Sequence, residues 1–323
     1  MNQSILDELY QNKFISKEQK AHIEENASKK NFSLFWELRT FLYLGVTLLS
    51  TGVGIAIYKN FEYIGHGALI SLIAVLCAAS FYYAFSHRLP YSNEKTANPS
   101  PFSDYSLLLS CLLFLSLEGY LQYQYTVFGQ SYRLAVFIPS VIFFIIAYYF
   151  DHLGVLSLAL TGLTAWVGIS VNPLDMTNPF SKIETVTVVS IFYGIALTIA
   201  ATLLNYKNIK KHFTFTIYNF AATVLFIYSL AGVFREDYRV FYFFALIGAA
   251  VFFIYYARKE QSLYFLLISV VYPYIGITYI FFKFILSGIK NDAVLWYGFL
   301  YFIVTCVMVI LFFLNYKKLI GKT

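Results

Sequence analysis

The stretch at residues 33–65, SLFWELRTFLYLGVTLLSTGVGIAIYKNFEYIG, constrains this chain more than any other. A short polar lead meets Trp36, about twenty apolar residues follow, and Tyr58-Lys59-Asn60-Phe61 closes the run. At a rise of 1.5 Å per residue, about twenty helical residues cross a hydrocarbon core of roughly 30 Å. Nearly everything downstream repeats the theme, with apolar runs at 64–86, 105–128, 133–150, 153–171, 184–205, 214–234, 239–257, 262–286 and 294–316. The reading is an all-α, polytopic membrane bundle of about ten helices over residues 33–323, in a lipid bilayer.

Composition agrees with that class. Only 12% of residues are charged and 59% are hydrophobic, whereas soluble domains carry about 25% charged residues. The formal charge of +6 reads as basic residues gathered at membrane edges rather than as a nucleic-acid surface. With both termini on the cytoplasmic side, sixteen of the 23 Lys and Arg residues fall inside and seven outside. Without the six nearest the N-terminus the ratio is still ten to seven, and the clusters Lys207/Lys210/Lys211 and Lys317/Lys318 lie inside. Cys77, Cys111 and Cys306 sit singly in apolar runs, which points to neither a disulfide framework nor a metal site.

Residues 1–32 read as a short cytoplasmic helical hairpin. Ser4 with Asp7, and Ser16 with Gln19, have the spacing of capping boxes. The start is not a signal peptide, which needs a basic opening and an early apolar core.

The lead Ile15-Ser16-Lys17-Glu18-Gln19, the small-residue span with Leu44-Gly45 and Gly52-Val53-Gly54, and its close at Tyr58-Lys59-Asn60-Phe61 resemble a bacterial membrane family, domain of unknown function 2157. The later run from Leu153-Gly154-Val155 to Trp166-Val167-Gly168 is similar to that family's middle spans. The resemblance covers residues 5–170, the N-terminal half; the aromatic that follows the Asn, often Trp in the family, is Phe61 here. It implies a bacterial inner-membrane protein and brings no catalytic or ligand residues with it.

An ionisable side chain inside a span is costly and marks a candidate site. Glu118 is the clearest such residue; Gln122 shares its helical face and Tyr125 lies near it. Arg133, opening the next span, and Lys283, near the outer end of the ninth, are the expected partners. Pro273, within Tyr272-Pro273-Tyr274, removes a helical hydrogen bond and kinks its span, while Pro139 is placed close to a helix start. Asp151-His152 reads as a tight turn between helices, and the five histidines show no metal-ligand spacing. No phosphate loop, Gly-x-Ser-x-Gly elbow or His-Glu-x-x-His is present, and no cofactor is expected. The expectation is a non-enzymatic membrane component that binds other membrane subunits. The alternative is a small-molecule or lipid transporter or flippase using Glu118 and the Pro273 helix.

Overall fold

The structure, a computed structural model, describes residues 16, 19, 35–96, 101–129, 132–171, 183–235, 238–286 and 293–320. Its helices are α1 (Phe35–Ile64), α2 (His66–Ser86), α3 (Pro101–Tyr125), α4 (Tyr132–Phe150), α5 (Leu153–Val171), α6 (Ile183–Tyr206), α7 (Thr214–Val233), α8 (Arg239–Lys259), α9 (Leu263–Ile280) and α10 (Ala293–Ile320). A 3-10 turn, Lys211–Phe213, leads into α7, and α9 runs on into a π-helical turn, Phe281–Leu286. Among the described residues, ten helices are long and apolar enough to span a bilayer. This is an all-α membrane protein.

The chain divides into two compact units, residues 1–61 and 62–323. In the first, Ser16 and Gln19 form a reciprocal capping box. The Ser16 amide donates to Gln19 Oε1 at 2.9 Å and the Gln19 amide donates to Ser16 Oγ at 3.2 Å, as their spacing predicts. The rest of the expected hairpin, Ser4 and Asp7 included, lies outside the described residues.

The second unit is a chain of antiparallel hairpins, and its connections explain how it turns so sharply. Three helices end in the same way. The amides of His152, Ile209 and Ser262 donate to the carbonyls of Ala147, Leu204 and Ala257 at 3.0, 3.1 and 3.0 Å. In each case the preceding residue is left-handed: Asp151 (φ 58°), Asn208 (φ 55°) and Gln261 (φ 51°). This is the Schellman ending, normally a glycine position. Asp and Asn tolerate that conformation because their short polar side chains bond locally, whereas Gln does so less readily. Gln261→Gly is therefore expected to raise stability by about 0.5–1 kcal/mol, the left-handed penalty less the entropy that glycine adds to the unfolded chain. A thermal unfolding midpoint in micelles that falls would contradict this.

Helix α7 is the central one: 61% of its span is buried, against 11–39% for the other spans of this unit. Its Phe226 is enclosed, as are Leu246, Phe253 and Phe265 on the helices that follow it. Phe253 stacks on Phe265 (5.7 Å, 8°) and Phe226 on Tyr272 (5.4 Å, 21°). Small residues let the backbones approach. A side chain at Gly194 would meet Leu225, one at Gly232 the Tyr242 ring, and one at Gly162 the Ser140 hydroxyl. Pro139 is not at a helix start; it lies buried inside α4, well beyond Tyr132. Helix α4 continues through it in spite of the lost N–H, since the local turn and neighbouring helices hold a membrane helix together at such a point. Pro273 likewise sits buried inside α9.

Candidate functional site

The alternation of the hairpins brings the connections α2–α3, α4–α5 and α6–α7 to one end of the second unit, and there the polar chemistry concentrates. Asp151 is the sole residue besides His152 between α4 and α5, and its left-handed backbone turns its carboxylate inward. Oδ2 accepts from the Thr96 amide at 2.8 Å and from Thr96 Oγ1 at 3.0 Å. Oδ1 accepts from Lys210 Nζ at 2.9 Å and from His212 Nε2 at 2.6 Å. A carboxylate offers about four lone-pair positions, so four donors from two other connections use them all.

Lys210 is a buried cation, 1% exposed, and its partner carboxylate is 4% exposed. Its backbone is left-handed (φ 44°), which sends the side chain back under the loop, where Nζ also stands 5.0 Å from the Tyr91 ring centre. Burial by itself raises the Asp151 carboxyl. The bonds from the Thr96 amide, Lys210 and His212, with the attraction of His212, outweigh it and hold the group below the ordinary carboxylate range.

Next to this knot, His152 serves as the N-cap of α5. The Val155 amide donates to its Nδ1 at 3.1 Å, which places the proton of the neutral ring on Nε2, 3.6 Å from Asp104 Oδ1. Arg88, just past the end of α2, donates to the Tyr149 hydroxyl, and its guanidinium lies over the rings of Phe85 (4.0 Å) and Tyr149 (5.0 Å). The space among Arg88, Thr96, Asp104, Asp151 and Lys210 is about 10 Å³, the size of a single water. Among the described residues no three His, Cys, Asp or Glu side chains are disposed to hold a metal.

The sequence-predicted residues lie elsewhere. Glu118, on α3, keeps Oε1 shut from solvent without a hydrogen-bond partner. Gln122 turns away from it. Its Nε2 donates to the Gly129 carbonyl at 2.8 Å and its Oε1 accepts from the Phe128 amide at 2.9 Å, which pins the turn after α3. Tyr125 is exposed and meets the His66 ring edge-on at 6.4 Å. Arg133 is exposed on the first turn of α4, and Lys283 lies over the Tyr279 ring at 5.7 Å in the π-helical turn. The stripe expected from Glu118 to Tyr125 is thus divided among separate local roles. Spacing cannot reveal the Asp151 network, whose other members lie 55 to 61 residues from Asp151. The signal that could have found it is topological: a lone carboxylate in a two-residue turn, on the same side as a basic connection.

Residues 7–156 match the model of a family described as Predicted membrane protein, domain of unknown function 2157. No curated protein and no solved structure matches the chain.

Proposed function

We propose that the protein is a non-enzymatic component of the bacterial inner membrane, with the Asp151 end facing the cytoplasm and presenting a fixed platform to partner membrane proteins. The observation that carries this reading is the complete use of Asp151 by Thr96, Lys210 and His212. A catalytic acid or base keeps a reactive position open beside room for substrate. Here the acceptor positions are filled and the adjoining space fits one water. The network instead ties three connections together, which suits a surface whose shape must persist while another protein reads it. Isolation of the tagged, full-length protein from its own membrane in gentle detergent tests this. Wild type is expected to carry a stoichiometric partner that Asp151→Asn loses.

Transport is the second reading, and Glu118 favours it, because an intramembrane carboxylate oxygen without a partner is where a proton or cation would be carried. Glu118→Gln separates the two. On the platform reading, vesicles holding the wild type and the variant show the same proton flux as empty vesicles. A flux present in wild type and abolished in the variant, with unfolding unchanged, would replace the platform with a transporter.

A further inference from the structure

We propose that the groove between α2 and α4 is a binding site for one anionic phospholipid of the leaflet at the Asp151 end, its phosphate on Arg88 and an acyl chain in the cavity below. That cavity, 290 Å³, lies among α2, α3 and α4 and is walled by apolar side chains such as Phe81, Phe114, Phe143 and Ile146, with Cys77 and Cys111 beside them. On α2, residues 74, 77, 78, 81 and 85 recur at helical spacing, so the cavity wall and Phe85 lie on one face, and Arg88, just past the helix end, folds over Phe85. On α4, Ile142, Ile146 and Tyr149 recur at the same spacing. Phe81 and Phe85 (6.3 Å apart), with Arg88 over Phe85, make the wall continuous from the cavity to the guanidinium.

Depth and charge select the occupant. Arg88 is exposed where α2 ends, the level of the headgroups. The cavity residues Ala74 to Phe81 lie seven to fourteen positions earlier on the helix, which is about 10–21 Å deeper. Half of a roughly 30 Å hydrocarbon core is about 15 Å, so the cavity sits where the lower half of an acyl chain lies. Among the described residues no carboxylate is paired with Arg88. The Tyr149 hydroxyl takes one of its five N–H donors, and the fork that remains suits a phosphate. A zwitterionic lipid would bring its own cation up against Arg88, and a free phosphate would leave the cavity unused.

The test is native mass spectrometry of the full-length protein, delipidated in micelles and then given phosphatidylglycerol or phosphatidylcholine with the same chains. The expected result is one phosphatidylglycerol held about tenfold more tightly than phosphatidylcholine, a preference that Arg88→Gln abolishes. Lys207→Gln, which removes an exposed charge at the same end, is expected to leave the preference intact. Dihexanoyl phosphatidylglycerol, with the same headgroup on short chains, is expected to bind about tenfold more weakly, since most buried methylenes are gone. Equal binding of the two headgroups would overturn the selection for an anionic lipid, and equal loss in Lys207→Gln and Arg88→Gln would overturn the phosphate's place on Arg88. Full binding of the short-chain lipid would overturn the cavity as the chain's place.

Discussion

Asp151→Asn is expected to lower the stability of the folded bundle by about 3–5 kcal/mol. The reason lies in what is left behind. Lys210 is 1% exposed, and without the carboxylate its ammonium stays enclosed with no opposite charge at hydrogen-bond distance. Removing both partners is the informative control. Asp151→Asn with Lys210→Met should recover much of the loss, because the penalty belongs to the stranded charge rather than to a missing attraction. Thermal unfolding in micelles reads both variants, and a double variant no better than the single one would contradict the argument.

The same network fixes a pH dependence. The Asp151 carboxyl is held below its unfolded value, so its stabilisation is fully present above the unfolded pKa of about 3.9 and is lost as pH falls through the lower folded value. The midpoint of wild type should fall with acid in that window more steeply than the midpoint of Asp151→Asn, which has no such group to protonate. Parallel curves would show that the carboxylate is not stabilised by folding.

Gly232→Val is expected to cost about 2–3 kcal/mol by overpacking. Helix α7 passes α8 so closely here that any Cβ at position 232 falls onto the Tyr242 ring. That ring is itself enclosed, so it has nowhere to move. Gly232→Ala with Tyr242→Leu should be less damaging than the two single changes together, with a coupling of about 1 kcal/mol or more between such neighbours. Gly248, also in α8, sets the opposite sign: a Cβ there meets nothing within 4 Å. Gly248→Ala should stabilise by about 0.5–1 kcal/mol through the unfolded chain's lost freedom. If both glycines responded alike, close packing of α7 on α8 would not be the cause.

The spans were legible in the sequence because hydropathy is a sum over neighbours, and twenty apolar residues leave little ambiguity. Helix α5 begins and ends at Leu153 and Val171, as the apolar run does. Capping was legible at Ser16 and Gln19 because both partners lie within one turn. Elements set by a single backbone torsion were harder. Nothing about Gln261 announces a left-handed ending, and α3 begins at Pro101, four residues before the apolar run, because proline suits a first helical position and Asp104 favours the first turn. Glu118 stands out in the sequence by contrast with its apolar neighbours, and its Oε1 is shut from solvent. The bonds of Gln122 to the turn after α3 are not legible from its helical face, which says nothing about the residues that follow. The Asp151 network was out of reach of spacing altogether, since it exists only once three hairpins have brought their ends together.

The most direct test of the platform is the composition of the complex that the full-length protein forms in its own membrane, measured by mass spectrometry of the intact assembly in gentle detergent. The account predicts one stoichiometric membrane partner in the wild type, lost from folded Asp151→Asn. A clean monomer or homodimer in the wild type would contradict it and leave transport through Glu118 as the reading to pursue.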